Sequence, residues 1–108
     1  MILGADLKPA GTYKYSDLGF YLWRKLFALQ GIELDTWFEH EVSEPFGWST
    51  MGYKPLSRGI APKDIAPTEN DEVFRQNVVR GTVHDPGAAM QGGVGGHAGL
   101  FSNAYDLA

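Results

Sequence analysis

PAGTYKYSDLGFYLWRKLFALQG, residues 9–31, decides how the chain is read. Leu18, Leu22, Leu26 and Leu29 recur at helical spacing, and Phe20, Trp23 and Phe27 widen the apolar stripe. Ser16 offers a capping hydroxyl, Asp17 places an anion in the first turn, and Gly31 supplies a C-terminal stop. A helix is therefore predicted over residues 17–30. Before it, Pro9 and Gly11 punctuate while Thr12, Tyr13 and Tyr15 favour extended backbone, so residues 8–15 predict a turn leading into a short extended stretch. The Tyr15 phenol then falls near the positive end of a helix, where a field favours its phenolate, as a lysine ammonium beside it would further. A tyrosine so placed can take a proton from a nucleophile or return one to a leaving group. The alternative is an aromatic side chain packing at the start of a helix that Ser16 caps.

Outward from this stretch the signals weaken. Asp35 is read as the cap of a second, shorter helix carrying Trp37, Phe38 and Val42 on one face, ended at Glu44 by Pro45. Repeated Gly and Pro between Phe46 and Asn70 predict an irregular path with at most short strands. Val78, Val79 and Val83 suggest a strand broken at Gly81, with a short helix around Val73 and Phe74 as the alternative. His84, Asp85 and Pro86 predict a turn in which Asp85 bonds nearby backbone. Six of the fourteen glycines lie between Gly87 and Gly99, forming a loop, and Ser102 is read as the cap of a last helix running to Ala108. The chain is thus expected to be one partial domain: a helical region with a Tyr-x-Asp motif over about 12–45, an irregular connection over 46–90, and a glycine-rich loop with a truncated helix over 91–108. It should be mainly helical, with long irregular loops.

Composition removes several function classes. A net charge of −4 without clustered lysines or arginines provides no footprint for nucleic acid or an anionic membrane surface. No apolar run is long enough to span a bilayer, and Met1 to Gly4 is too short for the apolar part of a signal peptide. The absence of cysteine excludes disulfides and thiolate metal sites but leaves the compartment open. His40, His84 and His97 show no ligand spacing, so no metal is expected. Residues 93–98 match Gly-x-Gly-x-x-Ala, yet no strong strand precedes them and the acidic partner of a dinucleotide site is missing, so no cofactor is expected.

Several segments, in order, carry a resemblance. Residues 9–20 are similar to the Pro-Gly-x-x-x-x-Tyr-Ser-Asn segment of β-lactamase-related serine hydrolases and penicillin-binding proteins, with a one-residue shift before the glycine. Residues 44–48, EPFGW, resemble that family's Pro-Leu-Gly-Met turn. Residues 65–69, 80–85, 96–102 and 106–108 look like successive landmarks of one branch of it. The resemblance implies an α+β parent fold of the β-lactamase/transpeptidase type, with a helical region joined to an antiparallel sheet. It also implies attack on an acyl carbonyl by the serine of Ser-x-x-Lys, formation of an acyl-enzyme and its hydrolysis, with Tyr15 as proton shuttle. Asp17 stands where many relatives have asparagine; when ionised it only accepts hydrogen bonds, which argues against β-lactam recognition and leaves esterase, amidase or peptidase activity open. His97, in His97-Ala98-Gly99, invites comparison with the substrate-holding Lys/His-x-Gly motif, although the following serine and Asp106-Leu107-Ala108 favour an earlier Ala-Gly-Gly-Leu-like landmark.

Ser16, Ser43, Ser49, Ser57 and Ser102 are followed three places on by Gly19, Phe46, Gly52, Ile60 and Tyr105, so Ser-x-x-Lys is absent. The chain is accordingly expected to be inactive alone, a fragment of a periplasmic or extracytoplasmic hydrolase acting on a small acyl or peptidoglycan-like substrate. Self-association through apolar faces is a further expectation. The competing reading is a non-catalytic module in which Trp23, Trp37 and Trp48 contact a cell-wall fragment or sugar.

Overall fold

The computed structural model describes Gly4, Asp6 and residues 9–108; Lys8, where the first turn was expected to begin, lies outside the described residues. Helix α1 spans Leu18–Leu29 and follows a turn at residues 10–11 and a stretch without regular structure over 12–16. Asp17, rather than Ser16, occupies the cap position and makes no side-chain capping bond, while the Ser16 hydroxyl accepts from Leu18 N–H at 3.3 Å. The helix ends as its sequence dictates. Gly31 adopts φ +73°, its N–H reaches the Ala28 carbonyl at 3.1 Å, and Ile32 N–H reaches Phe27 at 3.0 Å, the paired bonds of a Schellman ending. None of its side chains is buried, however, and Leu29 is 67% exposed.

Helix α2 spans Leu34–Phe38 and passes through a wide π-helical turn, Glu39–Ser43, into α3, Glu44–Phe46. Two expectations are corrected here. Glu33 is the cap of α2, and Asp35 instead takes Lys54 Nζ at 2.7 Å. Pro45 does not end the helical run. In an unbroken α-helix it would leave the carbonyl four residues back without a partner, but after the wide turn it sits in the first turn of α3, where no N–H is required. Gly47, at φ +69°, is the real terminator.

Beyond it, a short 3₁₀ turn at Pro62–Asp64 precedes β1, Pro67–Asp71, which pairs antiparallel with β2, Asn77–Arg80. Pro67 faces Arg80 and Asp71 faces Asn77, with a bulge between Pro67 and Glu69. No helix forms at Val73 and Phe74, because Asp71 Oδ1 accepts both of their N–H groups, at 3.0 and 2.8 Å, and fixes a turn. Helix α4, Pro86–Met90, was not expected: Asp85 goes beyond a turn and caps it, accepting from Ala88 N–H at 2.6 Å. The predicted last helix is a turn over residues 104–107, with Asn103 rather than Ser102 accepting from Asp106 N–H at 2.8 Å. So short a segment does not sustain a helix in water.

The buried apolar residues include Met51, Pro55, Ile65, Val79, Val83, Ala88 and Val94, so the described core is drawn from residues 51–94. Asp106 fastens the turn over residues 104–107 to Thr50 and to the core residue Met51. Its Oδ2 accepts from the Thr50 hydroxyl at 2.6 Å, Thr50 N–H at 2.8 Å and Met51 N–H at 2.9 Å. Led by the Thr50 hydroxyl, these donors outweigh the opposing effect of burial and hold the carboxyl below its usual range. Asp71 is depressed in the same direction, chiefly by the Phe74 N–H acting against burial, with help from Val73 and from the N–H and guanidinium of Arg75. For both carboxyls the folded pKa lies below the unfolded one. Their stabilisation is therefore complete above the unfolded aspartate value of about 4 and disappears as pH falls through the depressed folded values. Circular dichroism should show unfolding setting in below about pH 4, and Asp106→Asn should lower the melting temperature at neutral pH and flatten its acid dependence.

Candidate active site

Tyr15 stands in the irregular approach to α1 and is 77% exposed. Among the described residues its hydroxyl has no hydrogen-bond partner. Asp17, two residues on, turns toward the glycine-rich loop instead. One carboxylate oxygen of Asp17, one of Asp85 and a ring nitrogen of His97 all lie within 4.8 Å of one another. The sequence spacing gave no sign of this cluster, because its members come from the start of α1, the cap of α4 and the loop after it.

His97 Nε2 bonds Asp85 Oδ1 at 2.9 Å, the same oxygen that caps α4. The imidazole side chain is only 6% exposed, and its Nδ1 is buried without a partner. Tyr21, one turn along α1 from Asp17, meets the ring edge-on with centroids 4.8 Å apart and planes at 75°. The Tyr21 hydroxyl lies so close to Gly87 that any Cβ there would collide with it. Burial raises the Tyr21 phenol pKa, and the carboxylates of Asp85 and Asp17 raise it further. Burial also works against ionisation of Asp85, but the Ala88 N–H, the His97 hydrogen bond and the nearby histidine charges prevail and lower its pKa. Asp17, Asp85 and His97 are thus the described donors that could converge on a cation, and the Asp85–His97 contact is made as a direct hydrogen bond.

Two more contacts press the loop onto α1. Arg24 Nε donates to the Val94 carbonyl at 2.9 Å, and a Cβ on Gly96 would lie 3.2 Å from the Phe20 carbonyl oxygen. A cavity of about 880 Å³ borders the same loop, with His97 in its wall beside Tyr53, His84, Ser102 and Asn103 among others; Tyr15 is not in its wall. Of the residues singled out from sequence, then, Asp17 and His97 are brought together, whereas Tyr15 faces solvent nearby in the chain. Asp85 and Tyr21 were missed. The Asp-Pro pair followed by Gly-Ala-Ala could have revealed the cap, since aspartate before an N1 proline is a helix-start signal.

Comparison with known proteins points to a class of enzyme by name. Similar proteins carry the names of an N-acetylmuramyl-L-alanine amidase and of D-alanyl-D-alanine carboxypeptidases. The amidase, from Bacillus subtilis strain 168, is 38% identical over 115 aligned positions, covering 95% of this chain and 26% of that protein. The provisionally named carboxypeptidases of Escherichia coli K12 and Salmonella heidelberg SL476 are each 34% identical over 95% of the chain, covering 26% and 27% of those proteins. The chain therefore spans about a quarter of the length of these curated relatives. No protein-family model and no solved structure matches it. No described helix is long and apolar enough to cross a membrane.

Proposed function

We propose that this chain supplies the tyrosine side of the active site of a serine hydrolase that cleaves amide bonds in peptidoglycan-type substrates. The observation that carries this reading is Tyr15, exposed at the mouth of α1 within Tyr15-Ser16-Asp17, in a chain whose relatives are named for N-acetylmuramyl-L-alanine and D-alanyl-D-alanine bonds. The names narrow the acyl substrate from esters and lactams toward peptidyl amides. They also favour a periplasmic or extracytoplasmic setting.

The chemistry divides between the chain and what the relatives' greater length leaves room for. A serine within Ser-x-x-Lys, outside residues 1–108, attacks the carbonyl, and the Tyr15 hydroxyl relays the proton to the leaving amine. The parent fold is an α+β architecture in which α1 and its neighbours line one side of the cleft and an antiparallel sheet forms the other. Such a sheet would also cover the apolar side chains that α1 leaves exposed.

Incubation of the 108-residue chain with a p-nitrophenyl ester, a chromogenic β-lactam and a D-alanyl-D-alanine peptide is expected to give no turnover. The full-length polypeptide should cleave the peptide. Turnover by the 108-residue chain that Tyr15→Phe abolishes would place the nucleophile inside it and overturn the reading.

A further inference from the structure

We infer that His97 is a positioning residue: with Asp85 it clamps the start of α1, through Asp17 and Tyr21, and so fixes where the Tyr15 hydroxyl stands. This inference rests on the hydrolase reading for its catalytic consequence, but its structural half does not.

The clamp is built from three separate stretches. Asp85 is immobilised first, because its Oδ1 caps α4 through Ala88 N–H at 2.6 Å. The same oxygen holds His97 Nε2 at 2.9 Å, which sets the plane of the ring. The ring then packs against Tyr21 in a T-shaped contact, and one of its nitrogens lies within 4.8 Å of an Asp17 carboxylate oxygen. Asp17 and Asp85 are two like charges drawn into one small space, an arrangement that repels unless something polar or cationic lies between them. The imidazole, hydrogen-bonded to Asp85 and within 4.8 Å of Asp17, is the polar group at hand. Asp17 spends none of its hydrogen-bonding capacity on capping its own helix, which leaves it free for this contact.

His97 borders the cavity, but with its side chain 6% exposed it offers little surface there, and its firm contacts are to its neighbours. Tyr15 is two residues from Asp17 and is otherwise unsupported by hydrogen bonds among the described residues. Releasing Asp17 would let the approach to α1 drift, and a displacement near 1 Å costs a catalyst about a hundredfold. Geometry lost in this way lowers kcat rather than raising KM, whereas a substrate-holding residue does the reverse.

In the full-length polypeptide, His97→Ala is expected to lower kcat about a hundredfold with KM nearly unchanged. His97→Gln, whose amide nitrogen can still donate to Asp85, should recover most of the loss. Should His97→Ala fail to fold, His97→Gln against His97→Asn decides, because the shorter amide cannot reach Asp85. A raised KM at unchanged kcat, or a glutamine no better than alanine or asparagine, would overturn the positioning role. A second measurement separates this inference from the hydrolase reading: in the 108-residue chain, His97→Ala should shift the backbone amide resonances of Tyr15, Ser16 and Asp17. Unmoved resonances sink the clamp whatever the enzyme does. A fully active Tyr15→Phe polypeptide sinks the hydrolase reading while moved resonances still uphold the clamp.

Discussion

Tyr15→Phe in the full-length polypeptide is expected to reduce kcat/KM on a D-alanyl-D-alanine peptide by about two to four orders of magnitude, the range typical for loss of a positioned proton-transfer group. The substitution removes one oxygen and nothing else. Because Tyr15 is largely exposed and its hydroxyl bonds no described residue, the folded chain should not register the change, and stability should stay within about 0.5 kcal/mol. Steady-state kinetics paired with urea denaturation reads both quantities on the same sample. A large kinetic loss with an unchanged denaturation midpoint is the signature of chemistry. A loss of both would return Tyr15 to a packing role at the start of α1.

Gly99→Ala is expected to be the most damaging single-methyl addition in the glycine-rich loop, costing about 2–4 kcal/mol. Gly99 sits at φ +112°, a conformation that L side chains rarely adopt, and a Cβ there would be driven against the backbone carbonyl of Gly93. Neither partner can yield as a flexible side chain would. The nearby Gly92, at φ +78° with nothing within 4 Å of a built Cβ, provides the control, since alanine there meets only the conformational penalty of about 1–2 kcal/mol. Urea denaturation of the two variants should rank them in that order. Equal costs would mean that the loop relaxes away from Gly93.

What the sequence revealed of the fold was what local pattern can encode. Leucines at helical spacing and Gly31 located α1 to within a residue at either end, because both the periodicity and the stop are properties of neighbouring residues. The same stripe gave no guide to burial: Leu18, Leu26 and Leu29 stay exposed, and the core assembles instead from single residues scattered through irregular backbone. Pro45 misled because its effect depends on the turn before it, and the wide Glu39–Ser43 turn has no local signature in the sequence. In the candidate site, Tyr15 and Asp17 were legible as a motif. The contact of Asp17 with Asp85 and His97 was not, since no spacing rule joins residues that meet only when the loop folds back on α1.

The Asp106 carboxylate meets Thr50 and Met51 across 56 and 55 positions of chain. During synthesis those donors are made well before their acceptor. At about 5–20 residues per second, several seconds separate the synthesis of Thr50 and Met51 from that of Asp106. Thr50 and Met51 therefore cannot take up their final bonds as they emerge, and these contacts close only after translation has passed residue 106.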